Sequence, residues 1–432
     1  MSARKMKDSG IEWIGEIPEE WKVSKVSYFY KITLGKMLQP NAKEESDTLE
    51  NYLCALNVFW NKITTDNIKQ MWFAKSEKKQ YELTAGDLIV TEGGDVAAAC
   101  IWEAEVNPCY IQNAVYRVRS LPGFLNKFLY YHLFVAKTTG YIDMLCNKAT
   151  IAHFTKDKFG NLPFIVLPLD EQKKIVTYLD EKCASIDKIV ASKQKQNEQL
   201  AEYRQSLITE AVTKGLNPSA LMKDSGIEWI GEIPEEWQVR KLKYATICNG
   251  ETLSESTDAD YTFDYIDIGS VLYEGGITNT LEVTFETAPS RARRVVHEND
   301  VIISTVRTYL KAIAYIDKKY EAAICSTGFA VFSPKKGYDG RFLYYSLSAN
   351  WFVSSVESIS TGISYPAVAS IAMGDLKSIF PPLDEQKEIA AYLDKKCGEI
   401  DALSERNKNI IESLQEYKQS LIYEAVTGKI EL

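Results

Sequence analysis

The sequence predicts an α+β protein made of two related halves. Each half has a mixed α/β domain followed by a long helix, and the two long helices pair antiparallel as a coiled coil about an internal pseudo-twofold repeat. Three observations predict this. The stretch MKDSGIEWIGEIPEEW at Met6–Trp21 recurs unchanged at Met222–Trp237, 216 positions later. A longer repeat starts PLDEQ at Pro168 and again at Pro382, with 26 identities over 48 aligned positions, enough to mark a duplication. Between the repeats the halves agree only in islands, so one scaffold carries two different surfaces. The chain is too long for one ordinary core. Its expected divisions are 1–167 and 216–381 for the domains, with 168–215 and 382–432 for the helices.

The short repeat comes first in each half. Trp13, Trp21, Ile11, Ile14 and Ile17 stand among five acidic residues. Two readings stay open at this point. The segment closes the core of the domain that follows, or it presents one shared surface to two identical partners. On the second reading Glu19, Glu20 and Trp21, with Glu235, Glu236 and Trp237, are the candidate partner-binding residues. The segments that follow mix β-rich runs, GDLIVTEGG and NDVIISTVR, with helical FLNKFLYYHLF and GRFLYYSLSAN. Asp87 aligns with Asp300, and Phe128–Tyr131 with Phe342–Tyr345.

The long repeat has the heptad pattern of a coiled-coil helix. Leu179, Ile186, Leu200 and Leu207 mark the seam in the first copy, and Leu393, Ile400, Leu414 and Leu421 in the second. Polar residues interrupt it near the centre, where Ile411 aligns with Asn197. Pro168 and Asp170 form a start signal and Gly215 a stop. A helix of this length with one apolar stripe needs a partner, and the other copy supplies it.

Composition narrows the function. Charged residues make up 25% of the chain and hydrophobic ones 45%, as in a folded soluble protein. No apolar run is long enough to span a bilayer, and the first residues lack the apolar core of a secretion signal. Eight scattered cysteines with no C-x-x-C pair fit a reduced cytoplasm and argue against a disulfide framework or a zinc site. The net charge of −9 comes almost wholly from the two short repeats, since the remaining residues carry 48 basic against 49 acidic. Basic surface elsewhere is therefore compatible with the overall charge.

No catalytic set emerges. NPCY at Asn107–Tyr110 is similar to the NPPY-type motif of amino-methyltransferases, but no Gly-rich cofactor loop accompanies it, and a proline turn explains it. The E-x-K at Glu171–Lys173 and Glu385–Lys387 lacks a preceding strand carboxylate pair, so exposed first-turn charges explain it. EGGD at Glu92–Asp95 reads as a turn. The three histidines are scattered. The expectation is a non-catalytic chain with no metal site.

Basic clusters are the better lead, because phosphate neutralisation needs Lys and Arg while polar side chains read bases. SRARRVVH supplies Arg291, Arg293 and Arg294, and STVRTYLK supplies Arg307, Tyr309 and Lys311. In the first half CNKATIAHFTKDK supplies Lys148, Thr150, His153 and Lys156. These are the candidate DNA-binding residues.

The whole arrangement resembles the specificity subunit of type I restriction–modification systems. The residues that carry the likeness are IPEEW before each unique segment, TEGGD with a following NAVYRVR, KATIAHFTKDKFGNLP, STGISYPAVA, and PLDEQ heading each long helix. The resemblance covers nearly all of the chain. It implies two target-recognition domains that each read one half of a split, asymmetric site in double-stranded DNA. It implies two modification subunits, which carry S-adenosylmethionine and methylate adenine, and restriction subunits with ATP and Mg for translocation and cleavage. A cytoplasmic setting in a bacterium or archaeon follows from the same likeness. The alternatives are a two-site protein scaffold that binds no DNA and a methyltransferase in its own right.

Overall fold

The computed structural model describes residues 4–146, 153–272, 275–362 and 366–432, and of Tyr309 only the backbone. It divides into two compact units, Met1–Lys193 with Asn409–Leu432, and Gln194–Lys408. Each unit holds one mixed domain, about half of one long helix and the complementary half of the other.

Four strands form the central antiparallel sheet of the first unit: Tyr30–Leu34, Leu88–Thr91, Ala99–Ile101 and Val115–Ser120, in spatial order third, second, fourth, first. The second unit repeats that order with Thr246–Cys248, Val301–Ser304, Ile313–Tyr315 and Phe329–Pro334. The apolar runs are continuous because both faces of the sheet are covered. Leu88 and Val90 enter the main core beneath helix Asn126–Thr138, while Ile89 points into a second, smaller core. Val301 and Ile303 divide from Ile302 in the same way. This is the two-residue period of a strand sorting side chains between two cores.

A second sheet covers that smaller core. In the first unit Thr48–Leu53 pairs parallel with Tyr110–Ile111 and antiparallel with Lys69–Phe73. Thr262–Ile266, Ile324–Ser326 and Leu281–Thr284 repeat these pairings in the second unit. There a fourth strand, Ala292–Val295, adds to Ile324–Ser326 and carries Arg293 and Arg294, with Arg291 just before it. At the corresponding edge of the first unit stands the bridge Glu82–Tyr110.

The chain closes each domain on itself. Lys22–Lys25 pairs with Pro163–Val166, and Gln238–Lys241 with Lys377–Phe380, so the strand that begins each domain pairs with the one leading into the long helix. Each short repeat folds as a hairpin, Met6–Asp8 with Glu16–Pro18 and Met222–Asp224 with Glu232–Pro234.

The long helices span Leu169–Lys214 and Leu383–Val426. Within each unit they run antiparallel. Lys418 donates to Asp187 at 2.6 Å in the first, and Arg204 to Asp401 at 3.1 Å in the second. Of the seam residues, Leu179, Ile186, Leu393, Ile400 and Leu421 are buried. Leu200, Leu207 and Leu414 are half-buried. At the polar centre Asn407 donates to Asn197 at 3.0 Å.

Candidate nucleic-acid interface and acidic tags

Each central sheet ends at a junction between two distant segments. In the first unit strand Leu88–Thr91 runs into the turn Glu92–Asp95, where Gly94 has φ +78°. The Phe154 amide donates to the Glu92 carbonyl at 2.8 Å, and the Tyr116 hydroxyl donates to the Phe154 carbonyl at 3.1 Å. A Cβ built at Gly93 would lie 3.7 Å from His153 Nδ1, so the turn runs close beneath that ring. His153 and Lys156 are exposed at this rim. Lys158 donates to the His153 carbonyl at 3.0 Å and steadies the segment. Lys148 and Thr150 lie outside the described residues.

The second unit builds the same junction with other residues. The Val368 amide donates to the Thr305 carbonyl at 2.9 Å, and the Arg307 amide to Pro366 at 2.8 Å. Arg307 and Lys311 bracket the short turn Thr308–Leu310 with φ of 51° and 46°. Side chains rarely adopt that left-handed region, and such residues concentrate at functional sites. Arg307 is exposed and Lys311 half-buried. Two backbone bonds tie this loop to the arginine strand, from Thr305 to Gly328 at 2.7 Å and from Thr327 to Arg291 at 2.8 Å. The side chain of Tyr309 lies outside the described residues.

The arginine cluster does not form one patch. A register shift between Ala292 and Arg294 sends its members to different places. Arg291 is exposed. Arg293 lies 4.8 Å over the Phe285 ring and donates to the Ala292 carbonyl at 2.8 Å. Arg294 turns inward to the Asn249 side chain, and burial pulls its pKa down. Asn249 Oδ1 also accepts the Val331 amide at 2.9 Å, so Arg294 ties the second sheet to the central one. Beside the strand, His297 stands between Glu321 at 2.9 Å and Glu251 at 3.0 Å. Its hydrogen bonds to these two carboxylates hold its pKa above the ordinary imidazole value.

The acidic tags divide between core and surface. Trp21 and Trp237 are each 1% exposed, so neither ring is presented to a partner. Trp21 Nε1 donates to Glu171 at 2.9 Å, and Trp237 Nε1 to Glu385 at 3.0 Å. Each ring also lies against the glycine that ends the other long helix. A Cβ at Gly428 would come within 2.8 Å of Trp21, and one at Gly215 within 3.1 Å of Trp237. Each tryptophan thus locks the start of one helix to the end of the other. Glu19, Glu20, Glu235 and Glu236 remain exposed, and Arg4 engages Glu20.

Sequence reasoning missed what PLDEQ does. From sequence its glutamate is an exposed first-turn charge, yet in the structure Glu171 and Glu385 receive the tryptophan N–H. Its glutamine is buried in both halves. Gln172 donates to Gly123 and Leu167 and accepts from the Leu125 amide, at 3.0–3.1 Å. Gln386 donates to Pro381 at 2.8 Å and accepts from the Asp339 amide at 2.9 Å. A neutral amide can satisfy buried backbone donors and acceptors together. Identity of the pentapeptide in both halves was the available signal. Asn107–Tyr110 is a turn into strand Tyr110–Ile111, with Cys109 and Tyr110 buried.

A family model described as the type I restriction modification DNA specificity domain matches residues 18–202 and again 234–413. The MjaVIII specificity subunit of a type I restriction enzyme from Methanocaldococcus jannaschii is 24% identical over 96% of this chain and 94% of its own. The EcoBI specificity subunit from Escherichia coli is 23% identical over 80% of this chain and 73% of its own. Among solved structures, a chain of a type I restriction–modification system superposes with TM-score 0.71 at 15% identity, covering 96% of this chain and 99% of that one. The HsdS subunit from Thermoanaerobacter tengcongensis gives 0.54 at 15% identity, over 96% and 98%. The two structural likenesses establish a common fold.

Proposed function

The chain belongs to the type I restriction–modification DNA specificity family, and from that premise we propose that it reads a bipartite, asymmetric DNA site and seats two modification subunits. One observation carries the reading. Both units share the order of the central sheet and the junction at its end, while the residues at that junction differ almost completely. A common scaffold with two different rims suits two different half-sites. Methylation chemistry, with S-adenosylmethionine, belongs to the partner subunits, and ATP and Mg to restriction subunits. Methylome sequencing of cells carrying the system is the test. The expected result is two unlike short blocks with a fixed unspecified gap, and a continuous palindrome would overturn the reading.

Arg291 and Arg307 are the best-placed DNA contacts of the second unit, being exposed on segments joined through Thr327, Gly328 and Thr305. Arg291→Ala in the assembled complex should weaken DNA binding and lower the salt slope by about one. Arg294→Ala should instead lower thermal stability, because it removes the link to Asn249 (an unchanged salt slope for Arg291→Ala would make that residue a solvated surface group).

The exposed glutamates of the tags support a docking role that the buried tryptophans do not. Reversing Glu19, Glu20, Glu235 and Glu236 to lysine should impair assembly with modification subunits while circular dichroism stays that of wild type. Undiminished co-purification of two partner subunits would leave the tags with domain closure alone.

A further inference from the structure

The two segments that carry exposed arginines in the second unit are tied to one side chain, that of Asn249. It stands just past the edge strand Thr246–Cys248 with φ +53°, in the left-handed region that asparagine enters more readily than most residues. Its Oδ1 accepts the Val331 amide at 2.9 Å and an N–H of Arg294, and its Nδ2 donates to the Ser370 hydroxyl at 3.0 Å. A backbone amide and a guanidinium can only donate, so the oxygen of Asn249 faces them and its nitrogen faces Ser370.

Its two arms lead toward the two arginines. Arg294 belongs to strand Ala292–Val295, which Arg291 immediately precedes. The chain after Asn249 continues along that strand, with the Leu253 amide donating to Arg293 at 2.7 Å and the Val295 amide to Glu251 at 3.2 Å. Ser370 opens helix Ser370–Asp375, shortly after Pro366, whose carbonyl accepts the Arg307 amide at 2.8 Å. One amide group thus fixes the arginine strand, the central sheet and the junction segment against one another. The first unit is built otherwise. Its aligned residue is Thr33, and the stretch that follows pairs elsewhere, Gly35 donating to Val115 at 2.9 Å and Lys36 to Ile111 at 3.0 Å.

We infer that Asn249 is a positioning residue for the second half-site, holding the arginine strand and the junction segment in the register from which Arg291 and Arg307 address one block of DNA. Contacts to phosphates set where a protein sits on the duplex, and base contacts then specify the sequence. A reading group tolerates a displacement of only about 0.5 Å before its geometry is lost. Slack between the two segments therefore blurs the bases read in that block and leaves the other block alone. The inference rests on the two arginines contacting DNA.

The test is selection from a randomised DNA duplex library by the full chain assembled with its modification subunits. Asn249→Gly keeps the left-handed backbone free of strain and removes all three hydrogen bonds. Discrimination between bases should fall about ten-fold in one block of the selected site and stay at wild type in the other. The dependence of affinity on salt should not change, because no phosphate contact is removed. Asn249→Asp should restore selection, since a carboxylate accepts from Val331 and Arg294 and the Ser370 hydroxyl can turn to donate. Ser370→Ala, which cuts one arm alone, should blur the same block less, and it decides by the same criterion where Asn249→Gly fails to assemble. Wild-type selection by these variants, or equal blurring of both blocks, would make Asn249 a residue of the fold only and overturn the proposal. So would an Asn249→Asp complex as blurred as Asn249→Gly. Arg291→Ala and Arg307→Ala separate the two readings. If both bind duplex as wild type does, the DNA contacts themselves fail; if they weaken binding while Asn249→Gly selects normally, only the positioning role fails.

Discussion

Replacing Trp21 with alanine is expected to destabilise the first unit by about 3–5 kcal/mol, the range for removing a large buried aromatic side chain. The ring is 1% exposed, with Arg4 5.1 Å from its centroid on one side and the stop glycine of the second long helix close by. Its N–H is bonded to Glu171 on the first helix. Truncation therefore opens a cavity where the hairpin, the first helix start and the second helix end meet. Trp237→Ala should act alike on the second unit, which has Glu385 and Gly215 in the matching places. Because a chain with two units need not unfold in one step, amide hydrogen exchange is the measurement. Trp21→Ala should lose protection across the first unit and Trp237→Ala across the second. Equal loss in both units, or none in either, would show that the tryptophans do not lock the helices. Trp21→Phe keeps most of the packing and loses one hydrogen bond, a cost of about 1 kcal/mol. The stop glycines extend the argument. Gly428 sits at φ +75° with Pro18 2.6 Å from a built Cβ, whereas the tightest contact at Gly215 is 3.0 Å. Alanine should thus be worse tolerated at 428 than at 215.

Lengthening the paired helices should change the spacing of the recognised DNA and leave its two half-sites alone. Each helix is continuous through the polar centre, where Asn197 meets Asn407. Seven residues inserted into both helices beside this pair preserve the heptad seam. They add about 10 Å to each helix, at 1.5 Å per residue. B-DNA rises about 3.4 Å per base pair, so the unspecified gap should grow by about three base pairs. Four-residue insertions in both helices add about 6 Å, one or two base pairs, and rotate the helix about 40° beyond a full turn. They should give a shifted gap with reduced activity, whereas the heptad insertions keep the seam. Methylome sequencing of cells carrying each variant reads the gap directly. Methylation retained at the original gap would show that something other than helix length sets the spacing.

Much of the architecture was legible in the chain because duplication and periodicity are local signals. The offset between the short repeats announced two domains of one fold, and the runs at Leu88–Val90 and Val301–Ile303 are strands in both. The heptads of the long repeat gave the helices, and Gly215 ends the first of them. Legibility was poorer for the candidate sites. Three arginines within four residues look like one basic patch, but a single register shift divides them among solvent, the Phe285 ring and Asn249. No composition signal carries a bulge. Trp21 and Trp237, proposed as partner contacts, are interior because Glu171 and Glu385, far away in sequence, supply an acceptor for each buried N–H.

The sequence by itself determined that this protein has two related halves with a long heptad helix in each, since both rest on residue identity and spacing along the chain. Tertiary structure alone decided which copy of an identical segment is buried. Met6–Trp21 and Met222–Trp237 share every residue, yet Trp13 lies under Tyr141 and near Tyr423 while Trp229 faces an open cleft. The burial of a side chain is set by the residues that reach it from elsewhere in the fold, and at that place the first unit brings Tyr141 and Tyr423 whereas the second lines its cleft with Thr209.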